Sequence, residues 1–154
     1  MPVRLNATLV NDKRFPRVLA NLNQKIKDWR SFWIERFVPF YQNEIQQNFE
    51  TEGELVYGWP DLSPEYAAWK ARHFPGRKIM ERTRRLRESM APGAAGRDTV
   101  VRVRPLEAMV GTKVPYARYA NRQRPILPPV PKDRLRELHQ RWVTEKAREA
   151  QDEA

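Results

Sequence analysis

The chain contains no cysteine and only two histidines among its 154 residues. Without cysteine it can form neither a disulfide framework nor a thiolate metal site, so it does not need an oxidising compartment. A Cys-His catalytic pair is excluded, and a Ser-His-acid triad would depend on a lone histidine. We expect His139, within a charged helical segment, to be solvated, and His73 to lie at a helix end, where it complements the helix dipole.

Glycine, metal-ligand clusters and long apolar runs are also scarce. Six scattered glycines cannot build the glycine-rich loop that cradles phosphates, and no group of side chains has the spacing of a metal site. No stretch approaches the roughly 18 apolar residues of a membrane span, and the N-terminus lacks the pattern of a signal peptide. The sequence therefore predicts a non-enzymatic intracellular protein without cofactor, metal or membrane, or a component of an assembly built inside a cell.

Basic residues are abundant and concentrated in the second half of the chain. The formal net charge is +10, of which residues 1–77 contribute +2 and residues 78–154 contribute +8. Such asymmetry is typical of a protein that contacts a polyanion, usually nucleic acid. A solvated basic face that keeps the protein soluble explains it equally well.

Thirteen prolines against six glycines predict stiff connections between the elements. Alternating apolar residues predict an edge strand or an extended arm over residues 1–14. Long N-terminal helices are predicted by an aromatic-rich stripe at helical spacing, namely Leu22, Ile26, Trp29, Trp33, Phe37, Tyr41, Ile45 and Phe49. Pro39 interrupts this stripe, so we expect a kink, or a junction of two helices, near Val38 and Pro39.

Ser63, Pro64 and Glu65 predict the start of a helix. The serine is suited to be the N-cap, the proline to occupy the first helical position, and the glutamate to lie near the positive end of the dipole. A further helix is expected over residues 78–90. Its inward-facing side chains would be Ile79, Met80, Thr83, Leu86 and Met90.

Residues 99–112 predict an antiparallel hairpin. Val101 and Val103 alternate with arginines, which is typical of a half-buried strand, and we expect the chain to turn near Pro105 and Leu106.

The remaining chain predicts a short helical turn from Tyr116 to Asn121, a proline-rich strap and a last helix. That helix is expected to bury Leu135, Leu138, Trp142 and Val143. Its tail beyond Lys146 is polar on all sides, so it should either fray or dock on another surface. After the arm, we expect a core domain over residues 15–124, followed by the strap and C-terminal helix over residues 125–154.

The most basic segment, residues 70–87, holds eight Lys or Arg and a single acid. On the predicted helix Arg84 aligns with Arg87. Arg82 aligns with Arg85, so the segment presents a broad basic band. No helix-turn-helix or zinc-finger pattern accompanies this band, which argues against sequence-specific reading of DNA. Nonspecific phosphate contact, pairing with the acids of a neighbour, and plain solvation remain open.

Three short motifs follow one another in a fixed order over about residues 49–130. The positions that carry them are Trp59, Leu62, Ser63 and Lys70; then Ile79, Met80, Thr83, Leu86 and Ser89; then Val110, Gly111, Thr112, Tyr116 and Ala117. In this order they resemble the phage virion morphogenesis family. These are Mu-like tail completion proteins, which are similar to the neck and head–tail joining proteins of other tailed phages.

The chain departs from the family pattern at two places. Family members usually carry a glycine where this chain has Arg84. They often carry histidine-glutamine and a glycine after the tyrosine-alanine pair, where this chain has Arg118–Tyr119 and Asn121–Arg122.

The resemblance implies an α+β fold. Long kinked N-terminal helices would pack on a small antiparallel sheet, with an extended N-terminal arm and a C-terminal helix that can grip neighbours. Within the domain, we expect Tyr116 and Tyr119 to anchor the turn that precedes the strap.

The resemblance also implies a structural virion protein that forms a homo-oligomeric ring, sixfold or twelvefold, at the head–tail joint. Its partners would be the phage connector or adaptor and the tail terminator or tail tube proteins. It would be found in the neck or tail of the virion, and in the host cytoplasm during assembly. In a ring around a DNA channel, packaged DNA or neighbouring subunits would be contacted by Arg82, Arg84, Arg85, Arg87, Arg102 and Arg104.

Two other interpretations stay open. A small protein that binds nucleic acid nonspecifically would also carry this charge, and it would show a steep dependence on salt. An assembly chaperone would be missing from finished particles.

Overall fold

The chain has a helix-rich α+β fold with one small antiparallel sheet, as the resemblance implies. This computed structural model describes residues 14–154, so the arm predicted for residues 1–14 lies outside the described residues except for Arg14. In chain order the elements are α1 (Arg14–Lys27), α2 (Arg30–Phe32), a π-helical turn (Trp33–Phe37), α3 (Val38–Glu50), a 3-10 turn (Glu54–Val56), α4 (Pro64–His73), α5 (Arg85–Ser89), β1 (Thr99–Arg104), β2 (Glu107–Thr112), α6 (Ala117–Gln123) and α7 (Lys132–Asp152).

The aromatic stripe predicted for the N-terminal helices forms much of the core. Within the stripe, Ile45 and Phe49 are fully buried, and Trp29 and Trp33 pack against the core. Phe32, which the stripe did not include, is fully buried as well. Aromatic residues remove large areas of apolar surface from water, so this stripe is the main source of hydrophobic stabilisation.

The N-terminal helix breaks at Asp28 and Trp29, which the apolar pattern did not predict. Asp28 Oδ1 accepts a hydrogen bond from Arg30 N at 3.0 Å, and Trp29 N donates to Pro105 O of the hairpin turn at 2.9 Å. Because these two bonds satisfy backbone groups that a continuous helix would bond internally, they stabilise the break.

The junction predicted near Val38 and Pro39 is confirmed as a change of helical register. Val38 N donates to Trp33 O, the wider spacing of a π-helical turn. Pro39 then lies in the first turn of α3, where a missing N–H leaves no helical bond unmade. The chain therefore remains helical through Pro39.

The helix predicted over residues 78–90 is wrong for most of its length, because only α5 is helical there. Met80 and Arg84 have left-handed φ values of 66° and 61°. A residue in this conformation cannot continue a right-handed helix.

Hydrogen bonds from other parts of the chain explain this departure. Lys70 Nζ donates to Lys78 O, and Ile79 N donates to Glu52 Oε1 at 3.1 Å. These contacts occupy backbone groups that a helix would need, so tertiary structure overrides the local helical pattern.

We expect the substitution Arg84→Gly to raise the free energy of unfolding by about 1 kcal/mol, because a side chain in the left-handed region costs about 1–2 kcal/mol. It is also the position at which the resembling family usually carries glycine. The loss of the 3.8 Å contact between Arg84 Nε and Glu81 Oε2 offsets little of this, since Arg87 also pairs with Glu81. Denaturant unfolding measures the change, and Arg84→Ala, which keeps the Cβ atom, is the matched control without a gain. A glycine variant no more stable than the wild type would contradict this assignment.

The hairpin and its two-residue turn at residues 105–106 are confirmed. β1 pairs with β2 so that Val101 lies opposite Val110 and Val103 opposite Ala108. Val103, Ala108 and Val110 pack against the core. Val101 lies opposite Val110 and therefore on the same face of the hairpin, but 40% of its surface stays exposed.

The proline-rich strap, residues 125–131, has no strand partner among residues 14–154, and side chains donate hydrogen bonds to three of its carbonyl groups instead. The three donors are Tyr41 Oη to Pro128 O at 2.8 Å, Asn48 Nδ2 to Ile126 O at 3.0 Å and Trp59 Nε1 to Pro125 O at 2.8 Å. The strap is therefore held on α3 and on the loop that contains Trp59.

The polar tail of α7 docks on α1, one of the two outcomes predicted for it. Ala150 is fully buried, and Lys25 Nζ lies 2.8 Å from Glu153 Oε1 and 3.6 Å from Glu149 Oε2. The helix that the resemblance describes as an arm for neighbours thus packs on its own chain.

His139 is not solvated as predicted, because α7 carries it into the aromatic core. Its ring centroid lies 4.2 Å from that of Trp29 and 5.2 Å from that of Phe32. Its Nε2 atom is buried without a hydrogen-bond partner. Burial lowers the pKa of the His139 imidazole below its usual value of 6.5.

This pKa shift predicts a loss of stability at mildly acidic pH. Because the folded pKa is the lower one, the unfolded state binds the proton more readily, and stability falls as the pH drops through this window. We expect the melting temperature of the wild type to fall between about pH 7 and about pH 5, and His139→Phe to flatten the curve. Carboxylates with lowered pKa values, such as those of Asp28 and Asp98, change the stability only at lower pH. An equal pH dependence in the variant would contradict the assignment.

Candidate functional site

Residues from all three motifs meet at one surface groove of about 350 Å³. Apolar side chains, two tyrosines, a threonine and three cations line it: Leu62, Met80, Leu86 and Ala120; Tyr66 and Tyr116; Thr83; Lys70, Arg82 and Arg124. We call this site the basic groove. It has no carboxylate among its described lining residues, which makes it a candidate for binding an acidic and partly apolar group.

Lys70 is the buried cation of the basic groove, with only 4% of its surface exposed. Its ammonium donates to Lys78 O, which satisfies one of its three donors. Burial lowers the pKa of Lys70, and Arg124 lowers it further, whereas Glu52 and Glu81 oppose the shift. Lys70 of the first motif therefore has a structural role, because it fixes the irregular segment before α5.

Arg82 and Arg124 are held in place by contacts that leave their charges without an acidic partner. The Arg82 guanidinium lies 5.3 Å from the ring centroid of Trp69 and 5.2 Å from that of Phe74, within the range of cation–π attraction. Arg124 donates to two backbone carbonyls, those of Pro60 and Asp61, at 3.0 and 3.1 Å. Among residues 14–154, none of the three groove cations forms an ion pair.

Ser63 and Trp59 support the groove from outside it. Ser63 caps α4, as predicted, since its Oγ accepts a hydrogen bond from Tyr66 N at 3.3 Å. Trp59 is buried, with 7% of its surface exposed, and it stacks edge-to-face on Phe49. Gly53 lies against the Trp59 ring, and a Cβ atom there would approach Trp59 Cδ1 to 2.3 Å. The first motif thus fixes the loop between α3 and α4.

Thr112 joins the third motif to the second. Its Oγ1 lies 2.7 Å from Ser89 Oγ and accepts a hydrogen bond from Val114 N at 3.1 Å. Its neighbour Gly111 needs no special backbone conformation, and a Cβ atom there would only contact Val100 Cβ at 4.0 Å. Thr112 therefore carries the structural role of this motif.

Tyr116 and Tyr119 are not the buried anchors that the sequence predicts. They are 43% and 68% exposed, whereas Ala117 between them is buried. α6 begins at Ala117 and directs the small side chain inward, so both tyrosine rings face outward. Tyr116 lines the basic groove, and Ala117 lines a second cavity of about 320 Å³ with Gly111 and Thr112.

The predicted basic band does not exist, because Arg82 and Arg84 precede α5 and the other two arginines form ion pairs within the chain. Arg85 Nε lies 2.8 Å from Asp98 Oδ2, and these hydrogen bonds lower the pKa of the Asp98 carboxyl. Arg87 pairs with Glu81, which is only 1% exposed. Removing Arg87 would leave a buried carboxylate unpaired.

The hairpin arginines differ from each other. Arg104 Nη1 lies 3.1 Å from Glu107 Oε1 across the turn. Arg102 is exposed and forms no ion pair within residues 14–154, so it is the freer of the two charges.

No family model, curated protein or solved structure matches this chain. What the chain binds must therefore be inferred from its own residues. Within residues 14–154, no three His, Asp or Glu side chains are grouped so that they could hold a metal ion. No helix of this part of the chain is both long and apolar enough to cross a membrane.

Sequence reasoning missed three residues of the basic groove, namely Tyr66, Ala120 and Arg124. Tyr66 precedes Lys70 by one helical turn on α4, so its place on the same face could have been found from spacing. Arg124 could not, because it reaches the groove from the end of α6 through bonds to Pro60 and Asp61, which only the tertiary fold brings near.

Proposed function

We propose that this chain is a non-enzymatic structural protein of a tailed-phage particle and that it forms a ring of copies at the head–tail joint. The observation that supports this proposal is the basic groove, to which all three motifs contribute. Leu62 and Lys70 come from the first motif, Met80 and Leu86 from the second, and Tyr116 from the third. An open groove that is lined by unpaired cations, and to which all three motifs contribute, is suited to binding another protein.

Exposed apolar side chains also favour assembly. Monomeric proteins rarely expose large apolar patches, and such patches usually mark interfaces. Large side chains with more than half of their surface exposed are Ile34, Tyr57, Leu106, Met109 and Tyr119. Two of these, Leu106 and Met109, lie on the hairpin, whose strands pair with no third strand among residues 14–154.

Nonspecific binding of nucleic acid is the second candidate, and fewer charges favour it than the sequence suggests. Arg85, Arg87 and Arg104 pair with acids of the same chain. Arg102 and the groove cations remain for phosphate contacts. Replacing all four arginines of residues 82–87 would remove the ion pairs of Arg85 and Arg87 and destabilise the segment, so a loss of DNA binding would not show that the arginines contact DNA. Arg102→Gln is the better variant, because Arg102 forms no ion pair within residues 14–154.

Sedimentation of the purified protein at about 150 mM salt, alone and with a short DNA duplex, separates the two functions. We expect a discrete species of the size of a ring, whose sedimentation does not change when the duplex is added. A monomer that co-sediments with the duplex, and loses roughly 10³–10⁵-fold in affinity between about 50 and about 200 mM salt, would support nucleic-acid binding instead. The protein should also be present in purified particles; its absence from them would contradict a virion role.

A further inference from the structure

The loop between α3 and α4 presents one aromatic side chain entirely to solvent. Tyr57 is 103% exposed and has a left-handed φ of 71°. The left-handed backbone of Tyr57 ends the 3-10 turn, whereas its exposed ring buries no surface within its own chain. Residues held in this region of φ and ψ are often tied to function.

The backbone around Tyr57 is fixed. Gly58 N donates to Gly53 O at 2.7 Å, and Trp59 N donates to Glu52 O at 2.9 Å. Trp59 in turn is buried against Phe49. The ring of Tyr57 therefore stands on a rigid loop, which lowers the entropy lost when it binds.

The surroundings of Tyr57 are acidic. Between residues 37 and 69 the chain has no lysine or arginine and six acids, namely Glu44, Glu50, Glu52, Glu54, Asp61 and Glu65. Glu54 and Asp61 flank Tyr57, are exposed, and form no ion pair among the described residues. We call residues 53–61 the Tyr57 loop.

The Tyr57 loop and the basic groove are complementary in charge, and the groove has room for an aromatic ring. The loop offers one free aromatic ring beside two unpaired carboxylates. The groove offers an apolar lining, two tyrosine rings and the unpaired cations Lys70, Arg82 and Arg124, in a cavity of about 350 Å³. That volume is at the small end of the range for binding pockets, about 300–1,000 Å³, and suits a single anchor side chain. Tyr57 does not occupy the groove of its own chain, because its ring is fully exposed.

We propose that the basic groove of one copy binds the Tyr57 loop of a second copy. Tyr57 inserts between the apolar and aromatic lining residues, and Glu54 and Asp61 pair with Arg82 and the neighbouring cations. When such a contact is not reciprocated by the same pair of copies it is heterologous, so it produces rings or filaments. The inference rests on the proposed function, for which it names the contact between copies.

Two variants provide the test, and each of them disables one side of the contact between copies. Tyr57→Asn removes the ring and suits a left-handed backbone, and Arg82→Glu reverses an exposed charge of the groove. Matched controls are Tyr57→Phe, which keeps the aromatic ring, and Arg72→Glu, which reverses the charge of an exposed arginine outside the groove. Circular dichroism confirms that all four variants are folded.

Sedimentation equilibrium of the full chain gives the result. We expect each variant alone to lose self-association by at least about 30-fold, the effect of a hot-spot residue. A mixture of the two variants should form one-to-one dimers, since one keeps the groove and the other keeps the loop. The controls should associate like the wild type, and added salt should weaken the wild-type contact because charge pairs form it.

Three outcomes would overturn the inference: variants that assemble like the wild type, a mixture that stays monomeric, or a wild type that stays monomeric up to about 1 mM. If the variants assemble normally into rings, the contact between copies lies elsewhere and the proposed function stands. If the mixture forms dimers but the protein is absent from phage particles, the groove contact stands and the proposed function fails. If Arg82→Glu abolishes only the binding of duplex, the groove binds nucleic acid.

Discussion

The substitution Gly53→Ala is expected to lower the free energy of unfolding by about 2–5 kcal/mol. Gly53 has a φ of 88°, and a Cβ atom there would lie 2.3 Å from Trp59 Cδ1 and 2.5 Å from Trp59 Cγ. The left-handed backbone accounts for about 1–2 kcal/mol, and the forced displacement of a buried ring for about 1–3 kcal/mol more. Urea unfolding at constant pH measures the sum.

Gly58→Ala is the matched control for this prediction. Gly58 has a similar φ of 85°, but nothing lies within 4 Å of its Cβ position. It should therefore show only the backbone cost of about 1–2 kcal/mol. Equal losses in the two variants would show that the Trp59 ring is not fixed against Gly53.

The substitution Trp59→Ala is expected to cost about 3–5 kcal/mol, the range for truncating a buried aromatic residue. Its ring centroid lies 5.4 Å from that of Phe49, and its Nε1 donates to Pro125 O of the strap at 2.8 Å. The loss therefore includes both packing and the attachment of the strap. The melting temperature should fall before any assembly step is examined.

Tyr116→Ala and Trp59→Phe complete the test of Trp59. Tyr116 is 43% exposed, so its truncation should cost about 1 kcal/mol or less, although it belongs to the same set of motif residues. Trp59→Phe keeps an aromatic ring and removes the bond to Pro125, so it should lie between wild type and alanine. A Tyr116 variant as unstable as the Trp59 variant would contradict the burial assigned to both.

The two substitutions at Gly53 and Trp59 should not be additive. In a Trp59→Ala background no ring lies against the new Cβ atom. Gly53→Ala should then lower the free energy of unfolding only by the cost of the left-handed backbone. Residues in contact typically show coupling of about 0.5–3 kcal/mol. Additive losses would mean that the two residues act independently.

Local chemistry predicted some elements well. Ser63 and Pro64 start α4 where expected, because an N-cap and a first-turn proline depend on only a few neighbouring residues. The hairpin turn at residues 105–106 was likewise readable from alternation on both sides of it. For the aromatic stripe, the helical periodicity predicted which face is buried, but it did not predict where the helix breaks.

The errors occur where distant side chains decide the backbone. Residues 78–84 look helical, but Glu52 and Lys70 bond their backbone groups, and Arg84 adopts a left-handed conformation. His139 looks solvated on a charged helix, yet Trp29 and Phe32 surround it. In both cases the deciding contacts are far apart in sequence, so no local pattern carries them.

The candidate site shows the same division. Leu62, Lys70, Leu86 and Tyr116, which belong to three separate motifs, line one groove, although the motifs did not predict that they meet. The pattern did not predict that Arg85 and Arg87 are neutralised, because their acids lie on other elements. It also did not predict that Tyr57, outside the motif positions, is the most exposed aromatic residue on the described surface.

The proline-rich strap has a further consequence for how this chain meets other chains. Four of its seven residues are proline, so its backbone has few N–H groups to offer a passing strand. One of those, Ile126 N, is bonded to Asn121 Oδ1 at 2.9 Å, and side chains of the same subunit cover three of its carbonyls. A segment with so few free N–H groups is a poor template for β-strand pairing with another chain. The strap therefore protects against aggregation as well as linking α6 to α7.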